Sequence, residues 1–188
     1  MHRQPLLQML DSYAELYRDE VDMVGRIRQL VKEHEDCFER PCRPGHITGS
    51  AWIVSHDRRQ CLLVHHRKLN RWLQPGGHAD GQSNVAEVAL REAEEETGLT
   101  KLELVSTDNK LVPLDVDVHR IPARLDSEGK EIESAHEHHD IRFLLLAAAD
   151  QPLVLSDESH DLRWFTKREL LEVTDEESVL RLQRKAGP

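Results

Sequence analysis

The stretch that most constrains this chain runs from Asn84 to Gly98. Ala86, Ala89, Leu90, Ala93 and Thr97 recur at helical spacing and form one small-residue stripe. Asn84 suits the N-cap, Glu87 suits the reciprocal position of a capping box, and Gly98 suits the left-handed stop. The spacing predicts a helix over 85–97. Its other side carries Glu92, Glu95 and Glu96, one turn apart. Like charges so spaced cost about 0.2–0.5 kcal/mol per pair, and the helix dipole disfavours anions near its C-terminal end. Local stability therefore does not account for these three carboxylates, whereas a divalent cation does. Their oxygens are hard donors suited to Mg²⁺ or Mn²⁺. Arg91 is placed to hold one of them by an ion pair. Upstream, Gly76 and Gly77 let backbone approach a ligand closely, so the Gly77 carbonyl is a further candidate ligand. Taken alone, the glutamates also fit a solvated helix face.

The rest of the chain reads as strands with a few helices. Leu6, Met9, Leu10, Tyr13, Leu16 and Tyr17 keep helical spacing, as do Val21, Val24, Ile27, Leu30 and Val31. They predict a helical hairpin packed on the main domain, or alternatively a dimerisation element that would make the protein a homodimer. A connector over 37–45 carries Pro41 and Pro44. Strands are expected over 46–55, 61–65, 102–107, 112–120, 138–147 and 162–165, with short helices over 167–173 and 176–184. The expected class is α/β, a mixed β-sheet between helices. It divides into an N-terminal helical extension, 1–44, and a main domain, 45–188.

With 188 residues and 38% hydrophobic content the chain can bury a sizeable core. No run approaches the roughly 20 apolar residues of a membrane span, and the N-terminus lacks a secretory signal, so a cytoplasmic location is expected. A formal net charge of -10 argues against a nucleic-acid polymer as partner. It does not exclude an anionic small molecule, because bound cations reverse the local sign. The three cysteines, Cys37, Cys42 and Cys61, read as reduced structural thiols, the alternative being a metal shared by Cys37 and Cys42 with nearby histidines.

A second polar constellation alternates along two expected strands: Asp115, Asp117 and His119, then His136, His138 and Asp140. The Ser127-Glu128-Gly129-Lys130 turn between them predicts a hairpin. The trios then converge as a metal or substrate site, or else form a wet sheet face. Around the presumed cleft, His65, His66 and His78 read more readily as surface residues than as catalysts. Trp72 is placed either to stack on a base or to pack in the core.

Gly77, Arg91, Glu92, Glu95, Glu96, Gly98 and Leu99 stand at the spacing of the Nudix signature, with Ala93 at its aliphatic position. The chain resembles the Nudix hydrolases from about His46 to Val173. Ser83 occupies the signature's first glutamate position, an accessory carboxylate in that family. Asp-Val-His and His-x-His-x-Asp also resemble an uncharacterised subgroup of it. The resemblance implies the Nudix fold and a metal-dependent pyrophosphohydrolase with a small-molecule diphosphate substrate. It implies Glu92, Glu95 and Glu96 as ligands, and Glu92 or Glu158 as base. Trp72, His119, His138 and Asp140 are the expected substrate-binding residues. Two alternatives are an isoprenoid-diphosphate isomerase, which needs a reactive cysteine, and a non-enzymatic nucleotide-binding module.

Overall fold

A computed structural model describes residues 2–106 and 110–187. Residue 107, the last of the expected 102–107 strand, lies outside them. The chain opens with α1 (Gln4–Leu16), one 3₁₀ turn (Arg18–Glu20) and α2 (Val21–Glu33). Of the expected stripes, Leu6, Leu10 and Tyr13 on α1 and Val24, Ile27, Leu30 and Val31 on α2 are buried, Met9 and Tyr17 are partly buried, and Leu16 and Val21, which flank the turn between the helices, are exposed. β1 (Gly45–Val54), β2 (Gln60–His66), β3 (Arg71–Leu73) and β4 (Gly76–His78) precede α3 (Val85–Thr97). Then come β5 (Leu102–Leu104), β6 (Asp115–Ile121), β7 (Arg124–Leu125), β8 (Glu131–Glu133), β9 (His136–Ala147) and β10 (Ser159–Thr166). α4 (Lys167–Val173) and α5 (Glu177–Ala186) follow.

The sheet is mixed, with strand order β10-β2-β1-β9-β5, β3 beside β2, β4 beside β1 and β6 beside β9. β1 and β9 run parallel from Gly45↔Glu137 to Val54↔Leu146, and the other pairs are antiparallel. β6 begins at Asp115, later than expected, because Pro113 has no N–H for the ladder. β9 begins at His136, earlier than expected, and the Glu137 N–H donates to the Pro44 carbonyl. The expected hairpin forms between β6 and β9, with β7 and β8 as its tip. Asp126 Oδ1 holds the turn by accepting from the Glu128 and Lys130 N–H groups, both at 2.9 Å.

Strand alternation divides the interior. Ile47, Ala51 and Ile53 of β1, Ile141, Phe143 and Leu145 of β9, and Val116 and Val118 of β6 share one apolar core with the buried stripes of α1, α2 and α3. The opposite face carries Trp52 and Val54, which pack with Cys61, Leu63, Phe165, Leu170, Val179 and Leu182. The sheet thus lies between helical layers. The two N-terminal helices are not an appendage in packing terms, since their buried side chains belong to the same cluster as the sheet. No helix among the described residues is long and apolar enough to cross a membrane.

Candidate active site

α3 has the expected bounds and stop, with Gly98 at φ 73°. Its start differs from expectation. The Asn84 side chain makes no capping bond. Gln82 instead accepts from the Asn84 N–H at 2.9 Å and donates to Glu87 at 3.2 Å, which takes Glu87 out of the capping box. Val85 and Val88 join the buried stripe, while Leu90 is half-buried.

The three glutamates sit in different surroundings. Glu92 retains 14% side-chain exposure and Glu95 61%. Arg91 lies 3.0 Å from Glu92 and 3.8 Å from Glu95, and donates to the His78 carbonyl at 2.9 Å. This guanidinium ties α3 to β4. The Gly76 N–H reaches Glu96 Oε1 at 3.5 Å. A Cβ on Gly77 would fall 2.4 Å from the Glu92 carboxyl carbon, so only glycine leaves that carboxylate its place. Burial pushes the Glu96 carboxyl up to about 8, and the charges of Glu92, Glu158 and Glu95 add to it. Burial raises Glu92 as well, against the opposing pull of Arg91. Glu158 is exposed in the loop before β10, and its charge reaches both Glu92 and Glu96. Crowded, partly buried carboxylates beside a glycine backbone fit a divalent cation, which would relieve both desolvation and mutual repulsion. A cleft lined by Ala79, Asp80, Gln82, Glu87 and Arg91 adjoins this helix. Ser83 is half-buried in the loop leading to it.

β-Sheet register sorts the second constellation into two halves. Asp115 pairs with Arg142, Asp117 with Asp140, and His119 with His138, so one face carries them all. The aspartate half is an internal ion-pair network. Arg142 is buried and bridges Asp115 at 3.2 Å, Asp117 at 3.0 Å and Asp140 at 2.8 Å. Arg181 and Lys185 of α5 close on Asp115 at 2.8 Å and 2.6 Å. Burial opposes the Asp117 charge, but the bond from His119 and the guanidiniums of Arg142 and Arg181 hold its carboxyl far below the usual range. Asp140, expected to bind substrate, belongs to this network. It is 4% exposed, and its oxygens already accept from Thr48, Ser50 and Arg142. Arg142, Arg181 and Lys185 were not singled out from the sequence, although Arg142 follows Asp140 at strand spacing and so had to share its face.

The histidine half is larger than the sequence suggested. His46 pairs with His138 across β1 and β9, and His78 lies beside Thr48 on β4. His46, His78, His136 and His138 therefore gather on the sheet face opposite α3, with His119 at the rim. Burial, reinforced by the neighbouring rings, pushes His46 down to about 3 and His138 down to about 2. Both are neutral at pH 7.

Trp72 stacks edge-on to Phe165 at 4.8 Å and lies 4.9 Å from the His65 ring, with the Arg163 guanidinium 5.6 Å away. His66 Nδ1 accepts from the Leu69 N–H at 3.2 Å, a turn-forming role. Cys61 is buried, and burial pushes its thiol up to about 12, the opposite of what an isomerase nucleophile needs.

A family model described as the NUDIX domain matches residues 46–183. No curated protein matches the chain. Among solved structures, a hydrolase of the NUDIX family from Clostridium perfringens superposes with a TM-score of 0.59 at 22% identity, covering 75% of this chain and 95% of that one. An Ap4A hydrolase binary complex from C. elegans gives 0.55 at 19% identity, covering 74% and 93%. The NUDIX domain of Shewanella oneidensis NrtR, complexed with ADP ribose, gives 0.51 at 16% identity, covering 85% and 95%.

Proposed function

Because this chain belongs to the Nudix family, a family of pyrophosphohydrolases, we propose that it cleaves the diphosphate linkage of a nucleoside diphosphate joined to another group. The reading rests on the Gly77 backbone lying directly against the Glu92 carboxylate, with Glu96 received by the Gly76 N–H. Glu92, Glu95, Glu96 and the Gly77 carbonyl would hold Mg²⁺ or Mn²⁺. When bound, such an ion neutralises diphosphate oxygens and makes a bound water more acidic.

The chain's own residues supply the remainder. Arg91 contacts both Glu92 and the His78 carbonyl, which ties the end of β4 to α3 across the turn over 79–84. Glu158 is the group we assign to take the proton of the attacking water, because it is exposed and unbonded to any cation among the described residues, whereas Glu92 is held by Arg91. Trp72 and His119 are the candidates for contact with the nucleoside. The carboxylate cluster, intact apart from Ser83, favours an enzyme over a binding module, and the buried Cys61 disfavours an isomerase.

The test is a screen of dinucleoside polyphosphates, ADP-ribose, nucleotide sugars and nucleoside triphosphates with Mg²⁺ and with Mn²⁺. The first two classes are included because the C. elegans protein is named an Ap4A hydrolase and the S. oneidensis domain is complexed with ADP ribose. Release of a nucleotide product, abolished by chelator and reduced about a hundredfold or more in Glu158→Gln, is the expected result. Full turnover in excess chelator would refute the metal-dependent reading.

A further inference from the structure

We propose that His46, His136 and His138 form a second metal site, selective for a borderline transition ion of the Zn²⁺ class and separate from the glutamate helix. One ligand atom from each of the three lies within 4.8 Å of the others. Gly77 and His78 alternate along β4, so the face that carries this cluster is the reverse of the one that meets Glu92.

The strongest observation is what these rings lack. His46 is 2% exposed, yet neither of its nitrogens has a hydrogen-bond partner. His138 Nε2 is likewise buried and unpartnered. Buried polar atoms are almost always satisfied, and an orphaned set that converges on one point calls for a ligand there. His136 supplies the complementary feature. Its Nδ1 lies 2.9 Å from the Ser134 carbonyl, which can only accept, so Nδ1 is the donor and Nε2 is the nitrogen left to face a ligand. A backbone carbonyl fixing the far nitrogen is how metal-binding histidines are generally oriented.

The donor set then selects the ion. Neutral imidazoles suit Zn²⁺, Ni²⁺ or Cu²⁺ and discriminate against Mg²⁺. At Zn–N distances near 2.0–2.1 Å, tetrahedral ligand atoms stand about 3.4 Å apart, a closure that modest ring rotations supply. His78, whose ring centroid is 5.1 Å from that of His46 and 5.0 Å from that of His138, is the fourth candidate. Glu133, 3.9 Å from His136 Nε2, adds negative charge. Arg40 and Arg43 lie close enough to oppose a cation, but Arg40 is neutralised by Asp80, and Arg43 is committed to Ser134 Oγ and two backbone carbonyls. A second group, His34, Asp36 and Cys42, is weaker, because burial pushes the Cys42 thiol up to about 12.

The test uses the full chain, stripped with chelator and titrated with Zn²⁺ against a chromogenic competitor in excess Mg²⁺, with Co²⁺ as spectroscopic probe. Wild type, Glu95→Gln/Glu96→Gln and Cys42→Ser are expected to bind one equivalent with the same affinity. His138→Asn and His136→Gln are each expected to weaken it at least tenfold. Should either variant fail to fold, the Co²⁺ spectrum of the wild type decides. Intense tetrahedral d–d bands with nitrogen ligation support the site, and an octahedral oxygen spectrum overturns it. The proposal is equally overturned if wild type takes up no Zn²⁺ beyond what Glu95→Gln/Glu96→Gln abolishes. None of these readouts depends on hydrolysis, so the site and the enzymatic reading stand or fall separately.

Discussion

Two adjacent glycines illustrate how differently single positions can matter. A methyl group on Gly77 meets the far end of the Glu92 side chain, which can swing aside. Gly77→Ala should therefore fold with stability within about 1 kcal/mol of wild type yet lose about a hundredfold in turnover, or some 2.7 kcal/mol of barrier. A methyl on Gly76 meets Ser50 Cβ at 2.3 Å and its Cα at 2.8 Å, which cannot move without the strand. Gly76→Ala should lower the melting temperature first. Parallel melting and rate measurements separate the two, and equal stability losses would remove the assigned role of Gly77. Cys61 gives a chemical check: with its thiol held near pKa 12 by burial, alkylation at pH 8 should proceed only in denaturant. Rapid labelling of the native protein would reopen the isomerase reading.

Among the elements, α3 is where the sequence was most informative. Its limits follow from periodicity and a terminal glycine, which are local properties of the chain. The capping detail was not legible, because Gln82 and Asn84 compete for the same role and only the path of the preceding turn decides. The histidine cluster was half legible. The alternation of His136 and His138 shows in the sequence, but His46 and His78 join them through strand pairing that no short window encodes. For α3 the paired variants Glu95→Gln and Glu96→Gln test scaffold against chemistry. Without metal, each should keep or raise the melting temperature by relieving like-charge crowding, while cutting turnover by roughly 10²–10⁴-fold and shrinking the Mg²⁺-induced shift. The gain for Glu96→Gln should be larger at pH 8 than at pH 5. A carboxyl whose folded pKa is raised to about 8 is most compatible with folding below its unfolded pKa, and that contribution is lost as pH rises through 8. Variants with wild-type turnover and an unchanged metal shift would leave the trio a solvated face.

Across the whole molecule, the Arg142 network fastens three layers. It joins β6 and β9 to α5, and Lys185 extends it to Glu20 and to the Tyr13 hydroxyl of α1. Replacing Arg142 with methionine leaves Asp115, Asp117 and Asp140 short of a cation, and breaking a buried set of this kind costs about 3–5 kcal/mol. The melting temperature should drop by roughly 6–20 °C, measured calorimetrically. A drop under about 2 °C would mean that water already screens the network.

The parallel pairing of β1 with β9 also governs the order in which the molecule can assemble. Thr48 and Asp140, which bond across that pair, are 92 residues apart in the chain. A ribosome must therefore release the chain through β9 before the central ladder can close, and until then the apolar side of β1 lacks Ile141, Phe143 and Leu145 of its core. Closing so long a loop is entropically slow. Nascent chains ending before residue 136 should remain protease-sensitive across β1, and protection should arrive in one step once β9 has emerged.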